Sequence, residues 1–276
     1  MSDHTGHPPA PGDLLDIALE AAARAGRLLR GGRPDDLAVA ATKSSPIDVV
    51  TEMDLAAEKL ITDFLAERRP DDAVLGEEGG DTAGTSGVRW VVDPLDGTVN
   101  YLYGLPNWAV SIAAEIDGRA AVGVVEIPMR EETCWAVLGG GARRRAADGT
   151  TTPLRCRPSP PLEQALIGTG FNYVTEVRVA QAEVARRLIP RLRDIRRGGS
   201  AAIDLCDVAG GRLDGYYERG LGAWDLAAGE LIAREAGALT GGRPGRPADG
   251  DLAVAASPGV FELLQPLLEE LGAWHD

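Results

Sequence analysis

Residues 90–101, WVVDPLDGTVNY, run an apolar segment straight into two aspartates three positions apart, Asp93 and Asp96. Carboxylates at the end of a buried strand need a counter-charge, because desolvating a bare charge is very costly. Pro94 fixes one φ between them, so both carboxylates and the Leu95 carbonyl can turn toward one point. Gly97 and Thr98 follow at what reads as a helix start, where free N–H groups attract a phosphate. Other acids stand at strand ends or helix starts: Asp54 in PIDVVTEMD, Glu77 and Glu78 in GEEGG, and Asp225 in AWDLAAGE. Oxygen donors without histidine or thiolate suit hard cations, above all Mg2+. A metal cluster beside an anion-binding helix start is the equipment of phosphoryl transfer.

Each acid alone has an ordinary structural explanation. GEE fits a solvated loop, Asp225 an N-cap, and Asp54 a first-turn acid favoured by the helix macrodipole. Their order and spacing together carry the chemical reading.

Composition narrows that chemistry. The three histidines, His4, His7 and His275, stand in terminal tails, which argues against a histidine base, phosphohistidine chemistry or a His-ligated zinc site. Cys134, Cys156 and Cys206 are odd in number and far apart, and read as reduced core thiols. A net charge of −14 opposes a nucleic-acid surface. The short basic runs GARRRAADG and RLRDIRRGG read as solvated surface. With 44% apolar residues and no continuous apolar run long enough to span a bilayer, no membrane partner is expected. Residues 1–12 lack the regions of a signal peptide and read as a disordered tail, so the expected location is the cytoplasm.

The elements that must position the acids are legible in outline. Helical spacing predicts helices over 13–30, through Leu14, Ile17, Ala21, Ala25 and Leu28, and over 51–68. AVLGEEGG and VRWVVDPL read as strands. WAVSIAAEIDGRAAVGVVEIP and TCWAVLGGG read as antiparallel neighbours joined through an Asp-Gly turn. After about residue 150, strands alternate with helices near 176–189, from Ser200 and from Asp225, with a last helix at the end. That alternation suggests a layered α/β half. TGGRPGRPADGD reads as a surface loop.

The chain resembles the inositol monophosphatase family, from KSSPIDVVTEMD at 43–54 through GEEGG and WVVDPLDGTVNY to GAWDLAAGELIAREAGA at 222–238. The family pattern W-x-[VI]-D-P-[IL]-D-G-T-x-N-[FY] is matched in full. A second pattern, beginning Trp-Asp, is matched with Ala238 in place of its final glycine. The resemblance spans residues 13–272. It implies a five-layer α-β-α-β-α sandwich of the α/β class. An α+β half (13–150) would carry most metal ligands, and an α/β half (151–276) would carry Asp225 and the substrate side, with the site between them.

It also implies roles. Glu77, Asp93 and the Leu95 carbonyl would hold one Mg2+; Asp93, Asp96 and Asp225 a second; Glu77 would help hold a weaker third. Thr98, hydrogen-bonded to Asp54, would orient and deprotonate the attacking water. The N–H groups of Gly97 and Thr98 would receive the phosphate. Hydrolysis would be direct, without a phosphoenzyme, and sensitive to lithium. Family substrates include inositol phosphates, histidinol phosphate, fructose 1,6-bisphosphate, NADP and 3′-phosphoadenosine 5′-phosphate. Glu218 and Ala201 match the residues that hold inositol hydroxyls. The family's frequent His-Cys before Trp-Asp is replaced by Gly222-Ala223, which opens the sugar side. Inositol 1-phosphate is the first expectation. Homodimers are common in the family, and some members are non-catalytic partners of transcription machinery; no extra basic or apolar patch points to that role.

Overall fold

A computed structural model describes residues 10–34, 37–43, 48–79 and 81–274. Residues 1–9 of the tail expected over 1–12, and all three histidines, lie outside the described residues. Helix α1 (Pro11–Gly32) begins two positions ahead of expectation, with Pro11 in the first turn where its missing N–H costs nothing. Pro11 and Gly12 therefore belong to the helix, not to the expected tail. Leu14, Ala18, Ala21, Ala25 and Leu29 form its buried stripe, while Ile17 and Leu28 sit half-buried at the edge.

Strands β1 (Val39–Thr42) and β2 (Val49–Thr51) form a small antiparallel ribbon ahead of α2 (Glu52–Arg68). Next come β3 (Ala73–Gly76), β4 (Val88–Asp96), the short helix α3 (Thr98–Leu102) and β5 (Ala109–Ile116). Strands β6 (Arg119–Ile127), β7 (Glu132–Val137), β8 (Gly141–Arg145) and β9 (Thr151–Pro153) follow. Strands β3 to β9 make one seven-stranded sheet in sequence order, antiparallel except for β3 beside β4. The Asp117-Gly118 turn joins β5 to β6 with both residues at positive φ, as a two-residue hairpin requires. Trp90, fully buried, anchors β4 by donating its indole N–H to Asp72 at 2.9 Å.

The second half runs β10 (Leu166–Thr169), α4 (Thr175–Leu188), β11 (Asp194–Arg196), α5 (Ala201–Ala209) and β12 (Gly215–Glu218). It ends with α6 (Ala223–Glu235), β13 (Leu239–Gly241), β14 (Ala253–Ala256) and α7 (Pro258–Glu270). Its sheet has the order β11-β10-β12-β14-β13, parallel across the first three and antiparallel beyond.

Four cores stack these elements into five layers. Helices α1 and α2 cover one face of the large sheet. Helices α5 and α6 pack between the two sheets. Helices α4 and α7 close the outer face of the small sheet. The α-β-α-β-α sandwich is therefore the observed architecture. The cysteines are free, with Cys134 and Cys206 buried and Cys156 partly so. Among the described residues, no helix is long and apolar enough to cross a membrane.

Candidate active site

A bulge at the end of β4 creates the site. Asp93 stands opposite Ser111 and Asp96 opposite Ala109, so three steps along β4 match two along β5. Side chains alternate along a regular strand, and residues three apart face opposite ways. The extra residue returns Asp96 to the side of Asp93. The Leu95 N–H fastens this turn by donating to Asp93 Oδ1 at 2.9 Å. Gly97 then takes φ 96°, and a Cβ there would lie 2.8 Å from the Asn107 carbonyl, so only glycine fits before Thr98 opens α3.

Asp225 arrives from the other half in the first turn of α6. One of its oxygens accepts the Gly222 N–H at 2.6 Å, so it caps its own helix while facing the β4 aspartates. One oxygen each from Asp93, Asp96 and Asp225 lie within 4.8 Å of one another. Burial, then the charges of Glu77, Asp96 and Asp225, push Asp93 well above the usual carboxylate range. Burial and the Asp96 charge do the same to Asp225. Asp96 is pushed up to about 6 by burial, against hydrogen bonds from Ser200 and Ala202. Acids crowded in this way are relieved by a bound cation, and an all-oxygen donor set fits Mg2+.

Glu77 lines the same cavity just past β3, but Lys43 Nζ lies 2.7 Å from its Oε1 and 2.7 Å from Glu78 Oε1. Lys43 opens the KSSPIDVVTEMD stretch, where nothing in the local pattern marks it as a partner of these acids.

Behind the cavity wall, Asp54 is fully buried in the first turn of α2. Its Oδ2 accepts both the N–H (2.8 Å) and the hydroxyl of Thr51, the residue capping that helix. Its Oδ1 accepts from the Thr98 hydroxyl at 2.8 Å. Thr98 Oγ1 also lies 3.0 Å from the Leu95 carbonyl. One hydroxyl carries one proton, and the closer, charged acceptor is the stronger partner. Burial raises the Asp54 pKa in spite of the Thr51 and Thr98 bonds, which makes it a better proton acceptor.

Glu77, Asp93, Leu95, Asp96, Gly97, Thr98, Ala201, Glu218 and Asp225 all line one cavity of about 230 Å3. Glu218 stands at the end of β12, where the Tyr216 hydroxyl donates to its Oε2 at 2.5 Å. Burial pushes its pKa up to about 7, moderated by Tyr216 and the Arg197 charge. Asn172, Tyr173 and Arg197 complete this wall and were not anticipated. Arg197 belongs to the basic run read as solvated surface. It remains exposed, but the left-handed turn at Gly199 leading into α5 brings it to the cavity rim, so that reading is corrected for this residue. No periodicity signals such loop residues; only chain reversal brings them to the site.

A five-layer sandwich with an oxygen-only acidic cluster between its halves defines a class of phosphatases that hydrolyse phosphate esters. The sequence profile of the inositol monophosphatase family matches residues 11–272, and the chain belongs to that family. It is 44% identical over 275 residues to an inositol-1-monophosphatase of Mycobacterium bovis, covering 94% of each chain. It is 42% identical over 267 residues to a protein of Pasteurella multocida named Nus factor SuhB, covering 93% of this chain and 97% of that one. The solved structure of Mycobacterium tuberculosis SuhB is similar with a TM-score of 0.81 and 41% identity, over 96% of this chain and 99% of that one.

Proposed function

We propose that the chain is a Mg2+-dependent phosphomonoesterase acting on inositol 1-phosphate or a related small polyol phosphate. The observation that carries this reading is the Asp54–Thr98 hydrogen bond beside the Asp93, Asp96 and Asp225 carboxylates. Those three acids, with Glu77 and the Leu95 carbonyl, would hold the metal. Bound there, Mg2+ offsets phosphate charge and makes a coordinated water more acidic.

The chain's own groups do the rest. Thr98 Oγ1 gives its proton to Asp54 Oδ1, which turns an oxygen lone pair toward the cavity to accept a proton from water. Thr51 locks the other Asp54 oxygen, so the pair stays aimed without reorganising. Gly97 and Thr98 open α3 toward the cavity, where their N–H groups meet phosphate oxygens. Glu218, when ionised, accepts from hydroxyls of the leaving group. Release of phosphate from inositol 1-phosphate by purified protein, with and without Mg2+, tests this directly. Turnover unaffected by chelation would defeat the metal assignment. Histidinol phosphate, fructose 1,6-bisphosphate and 3′-phosphoadenosine 5′-phosphate complete the comparison by kcat/KM.

A second reading, association with transcription machinery, is supported by the relative named Nus factor SuhB. Asp93→Asn separates the two, since it removes turnover while leaving the outer surface intact.

A further inference from the structure

Two loops line the cavity around Glu218, and both leave the C-terminal ends of neighbouring parallel strands. One follows β10 and presents Phe171, Asn172 and Tyr173; the other follows β12 and presents Leu221 and Gly222 beyond Glu218. The ladder between those strands reaches Thr169 and Tyr217. Past that point Gln181, a buried amide on α4 that does not line the cavity, bridges the two loops. Its Oε1 accepts the Asn172 N–H at 2.7 Å, and its Nε2 donates to the Arg219 carbonyl at 3.1 Å.

The contact is built to close tolerance. Asn172 Oδ1 accepts the Val174 N–H at 2.8 Å, which fixes that side chain. Its amide nitrogen then rests over Gly220, where a Cβ would lie only 1.8 Å away and where φ is +91°. The Gly220 N–H in turn donates to the Gly250 carbonyl at 2.7 Å. An apolar side chain of equal size at 181 would fill the volume but leave the part-buried Asn172 N–H and Arg219 carbonyl without this partner.

We propose that Gln181 is a positioning residue that holds these two loops in register, and so sets the shape offered to the leaving group while leaving the phosphate end unaffected. This rests on the polyol-phosphatase reading of the cavity. Its consequence is selectivity: a site built to bond hydroxyls loses most when its bonding groups drift, whereas an ester without leaving-group hydroxyls has little to lose.

The test compares wild type, Gln181→Met and Gln181→Glu by amide hydrogen exchange, and by kinetics on inositol 1-phosphate and p-nitrophenyl phosphate at saturating Mg2+. For Gln181→Met, exchange should quicken in both 170–174 and 219–222. The ratio of kcat/KM for the polyol ester to that for p-nitrophenyl phosphate should fall about tenfold, mostly through KM, with inhibition by inorganic phosphate unchanged. Gln181→Glu keeps the acceptor for Asn172, so its faster exchange should be confined to 219–222; this variant decides the matter if the methionine variant does not fold. Unchanged exchange in 219–222 for either variant, or equal losses on the two esters, overturns the proposal. If wild type shows no preference for the polyol ester, the substrate reading falls and the exchange data alone judge Gln181.

Discussion

Asp96 Oδ2 accepts the Ser200 hydroxyl at 2.6 Å across 104 residues of chain, and the Ala202 N–H at 2.7 Å beside it. A carboxylate at the end of the large sheet thus caps helix α5 of the other half, where the N-terminal dipole favours negative charge. Ser200 is itself the N-cap of α5, accepting the Ile203 N–H at 3.2 Å. The acid that faces Asp93 and Asp225 is thereby part of the joint between the halves.

Ser200→Ala should therefore cost about 1–2 kcal/mol of stability, the usual worth of a capping hydroxyl. Thermal melting should show a loss of a few degrees in chelator, with part of it recovered in Mg2+. An unchanged melting temperature without metal would mean that Ser200 does not brace the joint.

Asp93→Asn should reduce phosphate release by about a thousandfold or more, because it removes a central charge from the cluster. Calorimetry should register weaker Mg2+ binding in the variant. Wild type should also lose activity in millimolar lithium, to a degree that depends on Mg2+ concentration. Near-normal turnover of Asp93→Asn at saturating Mg2+ would refute the assignment.

Thr98→Ala should lower kcat by about a hundredfold or more and leave KM within a few-fold, since in the proposed mechanism its hydroxyl would meet the attacking water and not the leaving group. Steady-state kinetics decide. A raised KM at constant kcat would reassign Thr98 to phosphate binding alone.

Glu218 should make KM for a polyol phosphate fall as pH rises through about 7, because only the ionised carboxylate is a pure acceptor for hydroxyls. Glu218→Gln should flatten that profile. The linked effect on stability has the opposite sense. Burial raises the folded pKa of Glu218, so the stability tied to its proton is full below its ordinary value of 4.5 and is lost as pH rises toward 7. In chelator, the melting temperature of Glu218→Gln relative to wild type should therefore climb between those pH values. Parallel pH curves for the two proteins would count against it.

The local signals in the chain determined the longer helices and strands and the acids that meet at the end of β4. Helical spacing located α1 and α2, the Asp-Gly pair located the β5–β6 hairpin, and one dodecapeptide placed Asp93, Asp96 and Thr98 together. These are short-range facts, carried by periodicity, turn residues and the incompatibility of bare carboxylates with a buried strand. The β4 bulge was only half visible, because Pro94 announces an interruption while the register against β5 decides which way Asp96 faces. What remained hidden were the pairings made across long stretches of chain: Asp96 with Ser200, Thr98 with Asp54, Lys43 with Glu77 and Glu78. Resemblance to a family supplied the Thr98–Asp54 pair, but no pattern within this chain did. The Gln181 bridge from Asn172 to Arg219 had no signal at all, since a glutamine amid the polar residues of α4 looks like any solvated side chain. Only packing of α4 against the small sheet buries that amide, and burial obliges it to bond the two loops that water would otherwise satisfy.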